Sequence, residues 1–391
     1  MAGSSIAALL EPAAPRARQS EVLRFETYAN VAPLYESWCD LEQRSADATI
    51  FQSADWCRAW VEASEAAGVA ESPRIATVWR GDRLVLLWPL AIRRLSVFRI
   101  LHALAEPATQ YGDILIDARE DRAALLDMAW KEVRSWVGID AIELRRVRDG
   151  SALSRLPELA RHDVKGSQAS APLLDFRQLD ADSADGQRTS KTRNALRRHE
   201  RLLAELGPVA FDILDRRQDQ CDVLAEAFRL KREWQKEKSA VSAGYAHPAS
   251  EASLLRLAGD GQLFAARLRV GKDTAAIELG AVRNRQYWSL VQSYDLRFSK
   301  HAPGRLLFWH LLETCPSLSI DVFDFLAPAH RHKLEWSNRE TGIRDYLMPI
   351  SIRGRAAVSY LLNVKPRLRE LYIRLPAGLR RRAARLVHEL S

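Results

Sequence analysis

The sequence predicts a mixed α+β protein made of two domains in tandem, each a mostly antiparallel sheet flanked by helices. Three observations predict it. A chain of 391 residues is long for one hydrophobic core. Short apolar runs joined by Gly, Asp and Asn turns alternate with segments of helical periodicity. The outline of helices, then a hairpin, then strand–helix–strand occurs twice, with no residue-level repeat, as in a duplicated fold that has diverged. An apolar fraction of 47% and a charged fraction of 28% are those of a soluble globular protein. No run of about 18 uninterrupted apolar residues is present, so no membrane-spanning helix is expected.

Taken in order, residues 1–20 read as a disordered leader with no basic residue ahead of its apolar patch. Glu21 to Tyr28 alternates like an edge strand, and Asn30 is placed to cap a helix through Leu34, Trp38 and Leu41. Phe51 precedes a helix from Ser53 to Ala67 that Gly68 ends. Arg74 to Trp79 and Leu84 to Trp88 flank Gly81-Asp82 as a hairpin that Pro89 closes. A short strand at Asp113 to Asp117, a helix from Asp121 to Val137 and a strand at Ala141 to Leu144 complete this half. The polar stretch 148–187 holds the domain junction, giving domains over 21–187 and 188–350.

In the second half, Thr189 or Ser190 caps a helix whose basic face carries Lys191, Arg193, Arg197, Arg198 and Arg201. A strand at Val209 to Leu214, a helix through Cys221 and Phe228, a mobile loop from Ser239 to Pro248 and a helix at Ala249 to Ala258 follow. Three strands come next, Gln262 to Val270, Thr274 to Val282 and Gln286 to Tyr294. The last feeds a helix beginning at Pro303-Gly304, and a strand at Val322 to Leu326 lies beyond it. Such a strand–helix–strand unit puts a cleft at the strand ends, beside backbone N–H groups free to meet an anion.

Four scattered cysteines, Cys39, Cys57, Cys221 and Cys315, indicate neither a disulfide framework nor a zinc site, which accords with a reducing cytoplasm. His330-x-His332 lacks a third ligand at metal spacing, so no metal is expected. Between Lys365 and Ser391 stand eight basic and two acidic residues, six of the net +8 charges. The remainder is nearly neutral, so the basic pI does not make the protein a nucleic-acid binder. Residues 351–391 read as a basic amphipathic tail, either packed with its charges outward or lying on an anionic membrane.

The ordered set Lys191-Thr192-Arg193-Asn194, Asp260-Gly261, Ser293-Tyr294-Asp295, Pro303-Gly304, Phe323-Asp324-Phe325, His332-Lys333 and Trp336 resembles the CelD/BcsL-type acetyltransferase-like proteins of the GNAT fold. Phe51, Trp56, Trp60, Trp88-Pro89-Leu90 and Tyr111-x-Asp113 share the resemblance, which spans about residues 20 to 345. That group is linked to cellulose and other exopolysaccharide synthesis and is similar to the FemAB aminoacyltransferases, which carry two such domains. The resemblance implies an N-acyltransferase drawing on acetyl-CoA or a longer acyl-CoA, with the donor in the second domain and a degenerate first domain shaping the acceptor side. The acceptor it implies is an amine-bearing small molecule or glycan precursor. Two other readings stay open, a FemAB-like transferase fed by aminoacyl-tRNA and a non-catalytic accessory protein at a membrane synthase. Where acetyl-CoA enzymes of this fold show two glycines, Lys300-His301-Ala302-Pro303-Gly304-Arg305 has one, and His332 stands where a tyrosine usually precedes the lysine.

Acyl transfer to an amine needs a donor anchor, a polarised carbonyl and a base. With Pro303 starting the helix, Gly304 permits close backbone approach at a helix end of partial positive charge, so both are candidate donor contacts, and Lys300 and Arg305 suit phosphate oxygens. Asp295 and His301 are the preferred base pair, with Glu278 on the middle strand as the alternative. Tyr294, Asp324, His332, Lys333 and Trp336 are the candidate substrate contacts. Lys333 either pairs with Asp324 or holds an acceptor phosphate.

Overall fold

A computed structural model describes residues 22–69, 71–179, 190–214, 216–238, 245 and 247–368. The leader, most of the 239–248 loop and all but the first residues of the basic tail lie outside these.

The strands are β1 (Leu23–Tyr28), β2 (Ser72–Pro73), β3 (Ile75–Arg80), β4 (Arg83–Trp88), β5 (Leu90–Leu95), β6 (Phe98–Ala103), β7 (Leu115–Ile116) and β8 (Ala141–Arg148) in the first half. They continue as β9 (Ala169–Asp175), β10 (Val209–Leu214), β11 (Phe264–Val270), β12 (Asp273–Arg283), β13 (Gln286–Tyr294), β14 (Val322–Asp324) and β15 (Arg339–Pro349). The helices are α1 (Tyr35–Arg44), α2 (Ala54–Ala66), α3 (Arg122–Ser135), α4 (Ser190–Ala204), α5 (Arg217–Lys238), α6 (Ala249–Gly259), α7 (Pro303–Thr314), α8 (Arg331–Leu334) and α9 (Ile352–Ser359).

Local chemistry explains most of these boundaries. Ser53 caps α2 by accepting from the Trp56 N–H, and Asp121 caps α3 by accepting from the Ala123 and Ala124 N–H groups. Gly81, at φ +58°, supplies the left-handed turn between β3 and β4. Asn30 does not cap α1, because a short 3-10 turn over Ala32–Leu34, with Pro33 in its middle, comes between them and leads into the helix.

β1, β3, β4 and β7 form a four-stranded sheet, while the other strands form an eleven-stranded one ordered β10-β11-β12-β13-β14-β9-β15-β8-β6-β5-β2. The sheet does not end with either half. β9 lies between β14 and β15, and β15 pairs antiparallel with β8, so the last of the described strands is built into the first half. β9 sits inside the stretch read as junction. Its run Ala171-Pro172-Leu173-Leu174 is buried on both faces, so it shows no alternation, and Pro172 reads as a breaker. The hairpin β5–β6 follows directly on Pro89, and neither it nor β15 is expected from the periodicity.

The halves are also locked by buried polar bonds. Glu42 on α1 pairs with Arg283 on β12 and accepts from the Ala54 N–H at 2.6 Å. Tyr111 of the first half donates to the Asp324 carboxylate, whose oxygens lie 2.9 and 3.0 Å away. Apolar packing runs across the same boundary, with Trp38, Trp60 and Trp288 in one buried cluster.

Candidate functional site

The site begins where two parallel strands part. β13 and β14 pair only from Gln286 with Val322 to Trp288 with Asp324. Beyond this, the edge of β13 from Ser289 to Tyr294 faces a cavity of about 860 Å³ rather than a strand. Two of its edge carbonyls accept from side chains instead, Leu290 from the Tyr245 hydroxyl at 2.9 Å and Gln292 from Lys231 Nζ at 3.0 Å. The cavity thus lies at the carboxyl ends of parallel strands, where open sheets receive ligands.

The divergence is held by aromatic packing. Tyr287 stacks on Phe323 with centroids 4.4 Å apart, and Gly280, at a bulge of β12, makes room for the Tyr287 ring. α7 opens onto the cavity through Ala302, Pro303 and Gly304. Ala302 adopts a left-handed φ of +50° and Pro303 takes the first helical position. A Cβ on Gly304 would meet only the Gln292 side chain, at 3.6 Å or more, so space remains above the helix end.

Behind the edge stands Glu278. It is fully buried, accepts a short hydrogen bond from Ser289 Oγ, and its Oε2 has no partner among the described residues. Burial pushes its carboxyl up to about 8, against the pull of the Ser289 hydroxyl and of Lys231 and Lys333. Ser289 itself lines the cavity, so Glu278 reaches it through one hydroxyl. Burial lowers both amines, Lys333 to about 8. Lys333 Nζ donates to the Leu326 carbonyl at 2.9 Å, and Leu326 N–H donates to Asp324 at 2.8 Å. Leu326 is left-handed at φ +60°, a conformation those two bonds hold from either side.

Of the residues singled out from sequence, Tyr294, Pro303, Gly304, Arg305, His332, Lys333 and Trp336 line the cavity. Glu278 and Asp324 stand one residue behind it. Asp295, His301 and Lys300 do not line it. Asp295 caps the 3-10 turn after β13 by accepting from the Arg297 N–H at 2.8 Å. Burial raises the Asp295 carboxyl, but the Arg297 guanidinium and N–H outweigh it and hold it below its ordinary value. Lys300 is exposed, and His301 Nδ1 is buried without a partner among the described residues. Arg305 pairs with Glu335 at 2.8 Å, and Tyr294 accepts from Trp234 Nε1 at 3.1 Å. Burial, then Lys333, lowers His332.

Lys231, Tyr245, Ser289, Arg145 and Arg146 also line the cavity and are not among the residues that the sequence singles out. Lys231 lies on α5, and the structure shows it half-buried against the cavity. Arg145-Arg146 did carry a signal, since two consecutive charges interrupt the alternation of β8. Gly112 passes so close to this point that a Cβ there would lie 2.8 Å from the Arg145 carbonyl oxygen. Gly112→Ala is therefore expected to cost about 1–3 kcal/mol through backbone displacement, read as a fall in the urea midpoint at unchanged slope.

Among the described residues no cluster of three or more His, Cys, Asp or Glu is placed to hold a metal ion. No described helix is long and apolar enough to cross a membrane.

Residues 190–334, from α4 to α8, match the family described as an acetyltransferase (GNAT) domain. No curated protein matches the chain in sequence. Among solved structures, FemX is similar over 81% of this chain and 96% of its own at 10% identity, with a TM-score of 0.55. The C-terminal domain of a putative lysylphosphatidylglycerol synthetase from Agrobacterium fabrum is similar over 85% and 95% at 12% identity, with a TM-score of 0.50. At these identities the likeness is one of fold. The chain carries a GNAT-type acyltransferase fold, and the FemX likeness extends through both halves.

Proposed function

We propose that the protein is an N-acyltransferase that moves an acetyl or longer acyl group from acyl-CoA to an amine acceptor. The observation that carries this reading is the parting of β13 and β14 over a cavity that ends at the N-terminus of α7, with the Ser289–Glu278 pair behind its wall. The first turn of α7 at Gly304, with Arg305, is suited to the donor's phosphates. The acceptor nitrogen attacks the thioester carbonyl, a C–N bond forms, and the C–S bond breaks. The nitrogen's proton passes through Ser289 to Glu278, and the departing thiolate takes up a proton. Lys333 supplies positive charge for the oxyanion or for an acceptor phosphate. The likeness to CelD/BcsL-type proteins supports an acceptor tied to cell-surface polysaccharide. Four free cysteines accord with a cytoplasmic setting.

Isothermal titration with acetyl-CoA before and after Gly304→Asp tests the donor. A Cβ at this position meets the Gln292 side chain at ordinary van der Waals distance, and an acid in the first helical turn does not weaken the helix. The added negative charge at the proposed phosphate site is expected to weaken acetyl-CoA binding roughly tenfold or more. No measurable heat with either form sinks the reading.

A further inference from the structure

β8 and β15 pair as regular antiparallel strands on either side of one irregularity. Arg344 faces Val147 and Tyr346 faces Leu144, so Arg145 and Arg146 together oppose the single residue Asp345. In a regular strand consecutive side chains point to opposite faces, and only one of two neighbouring arginines would reach a given cavity. Here both line it. The bulge achieves this by holding Arg146 left-handed at φ +52°, with its N–H donating to Asp345 Oδ1 at 2.8 Å. A non-glycine residue held there is strained, and such strain gathers at sites of function.

The charge around this pair is unbalanced. Arg145, Arg146, Lys231, Arg305 and Lys333 line the cavity, and no described lining residue is Asp or Glu. Arg305 has Glu335, but Arg146 donates to the Thr109 carbonyl at 2.6 Å and forms no ion pair among the described residues. The carboxylates nearest Arg145 are loose, Glu106 at 3.7 Å and Asp345 at 4.0 Å. Arg146 thus has no ion pair among the described residues and Arg145 only long ones, so a ligand's anion can bind both more tightly than these carboxylates do, and the planar guanidinium forks match carboxylate and phosphate.

We infer that the β8 bulge makes Arg145 and Arg146 a binding site, on the first half's wall of the cavity, for a carboxylate or phosphate carried by the acceptor. The ligand's identity as acceptor rests on the acyltransferase reading, and the test separates the two. The full chain is titrated calorimetrically at low salt with three primary amines, O-phosphoethanolamine, β-alanine and propylamine. The two anionic probes are expected to bind, the tighter one showing whether phosphate or carboxylate is the native group, with propylamine roughly tenfold weaker or more. Arg145→Gln and Arg146→Asn are each expected to weaken both anionic probes about tenfold while acetyl-CoA affinity is retained; Asn tolerates the left-handed backbone, and a thermal melt checks folding. Failure of every probe to bind, equal affinity for propylamine, or undiminished affinity in both variants overturns the site. Arginine-dependent probe binding without acetyl-CoA binding keeps the site and removes the donor reading instead.

Discussion

Glu278→Gln is expected to lower kcat/KM for acyl transfer by roughly a hundred- to ten-thousandfold, the range for loss of a positioned proton acceptor. The carboxyl is fully buried on β12, meets the cavity through the Ser289 hydroxyl, and is pushed by burial up to about 8. A base must be unprotonated to act, so the wild-type rate is expected to climb with pH and level off above about 8. The Gln variant should show no such rise. Stability runs the other way. An unfolded glutamate titrates near about 4.3, so the folded chain binds this proton more tightly than the unfolded one. The stabilisation is complete below the unfolded value and is lost as pH rises through the folded one. Gln cannot ionise, so the variant should lose less stability between pH 6 and 9 while losing its rate. A purely structural glutamate predicts no rate effect, and a variant equally slow but with an unchanged pH–rate slope would remove Glu278 from the mechanism.

How far sequence reaches into this site depends on what each residue does locally. The helix start at Pro303, the strands β10 to β13 and the capped helices α2 and α3 are legible because turn chemistry and periodicity act over a few neighbours. β9 and β15 are not, because what makes them strands is pairing with residues more than a hundred positions away. The same distance hides the functional consequence of the fold. Asp295 looks like a cleft residue at a strand end, yet its own neighbour Arg297 draws it into a cap. Glu278 looks like one buried acid among several until Ser289 and the splayed edge place it beside the cavity. Arg145 and Arg146 become a pair only through a bulge that their sequence marks as a broken alternation.

Asp324→Ala is expected to destabilise the protein by about 3 kcal/mol, because it strands two buried donors, each worth ~1–3 kcal/mol when unsatisfied. These are the Tyr111 hydroxyl, fully buried against Phe51, and the Leu326 N–H. Burial raises the Asp324 carboxyl, and the Leu326 N–H and Tyr111 hydroxyl oppose that rise. Asp324→Asn keeps one oxygen in place for both donors and should cost less than half as much. Tyr111→Phe removes the partner from the other half, so the double variant with Asp324→Ala should lose less than the sum of the two singles, by about 1–2 kcal/mol. Urea unfolding of the four proteins gives this coupling directly. Additive losses would mean that the bond does not join the halves energetically. The coupling bears on the site because Asp324 also fixes Leu326, whose carbonyl holds Lys333. A residue of the first half thereby positions an amine of the second. On the acyltransferase reading, the half without the splayed strands would then help to frame the site, through this anchor and through the proposed arginine pair on β8.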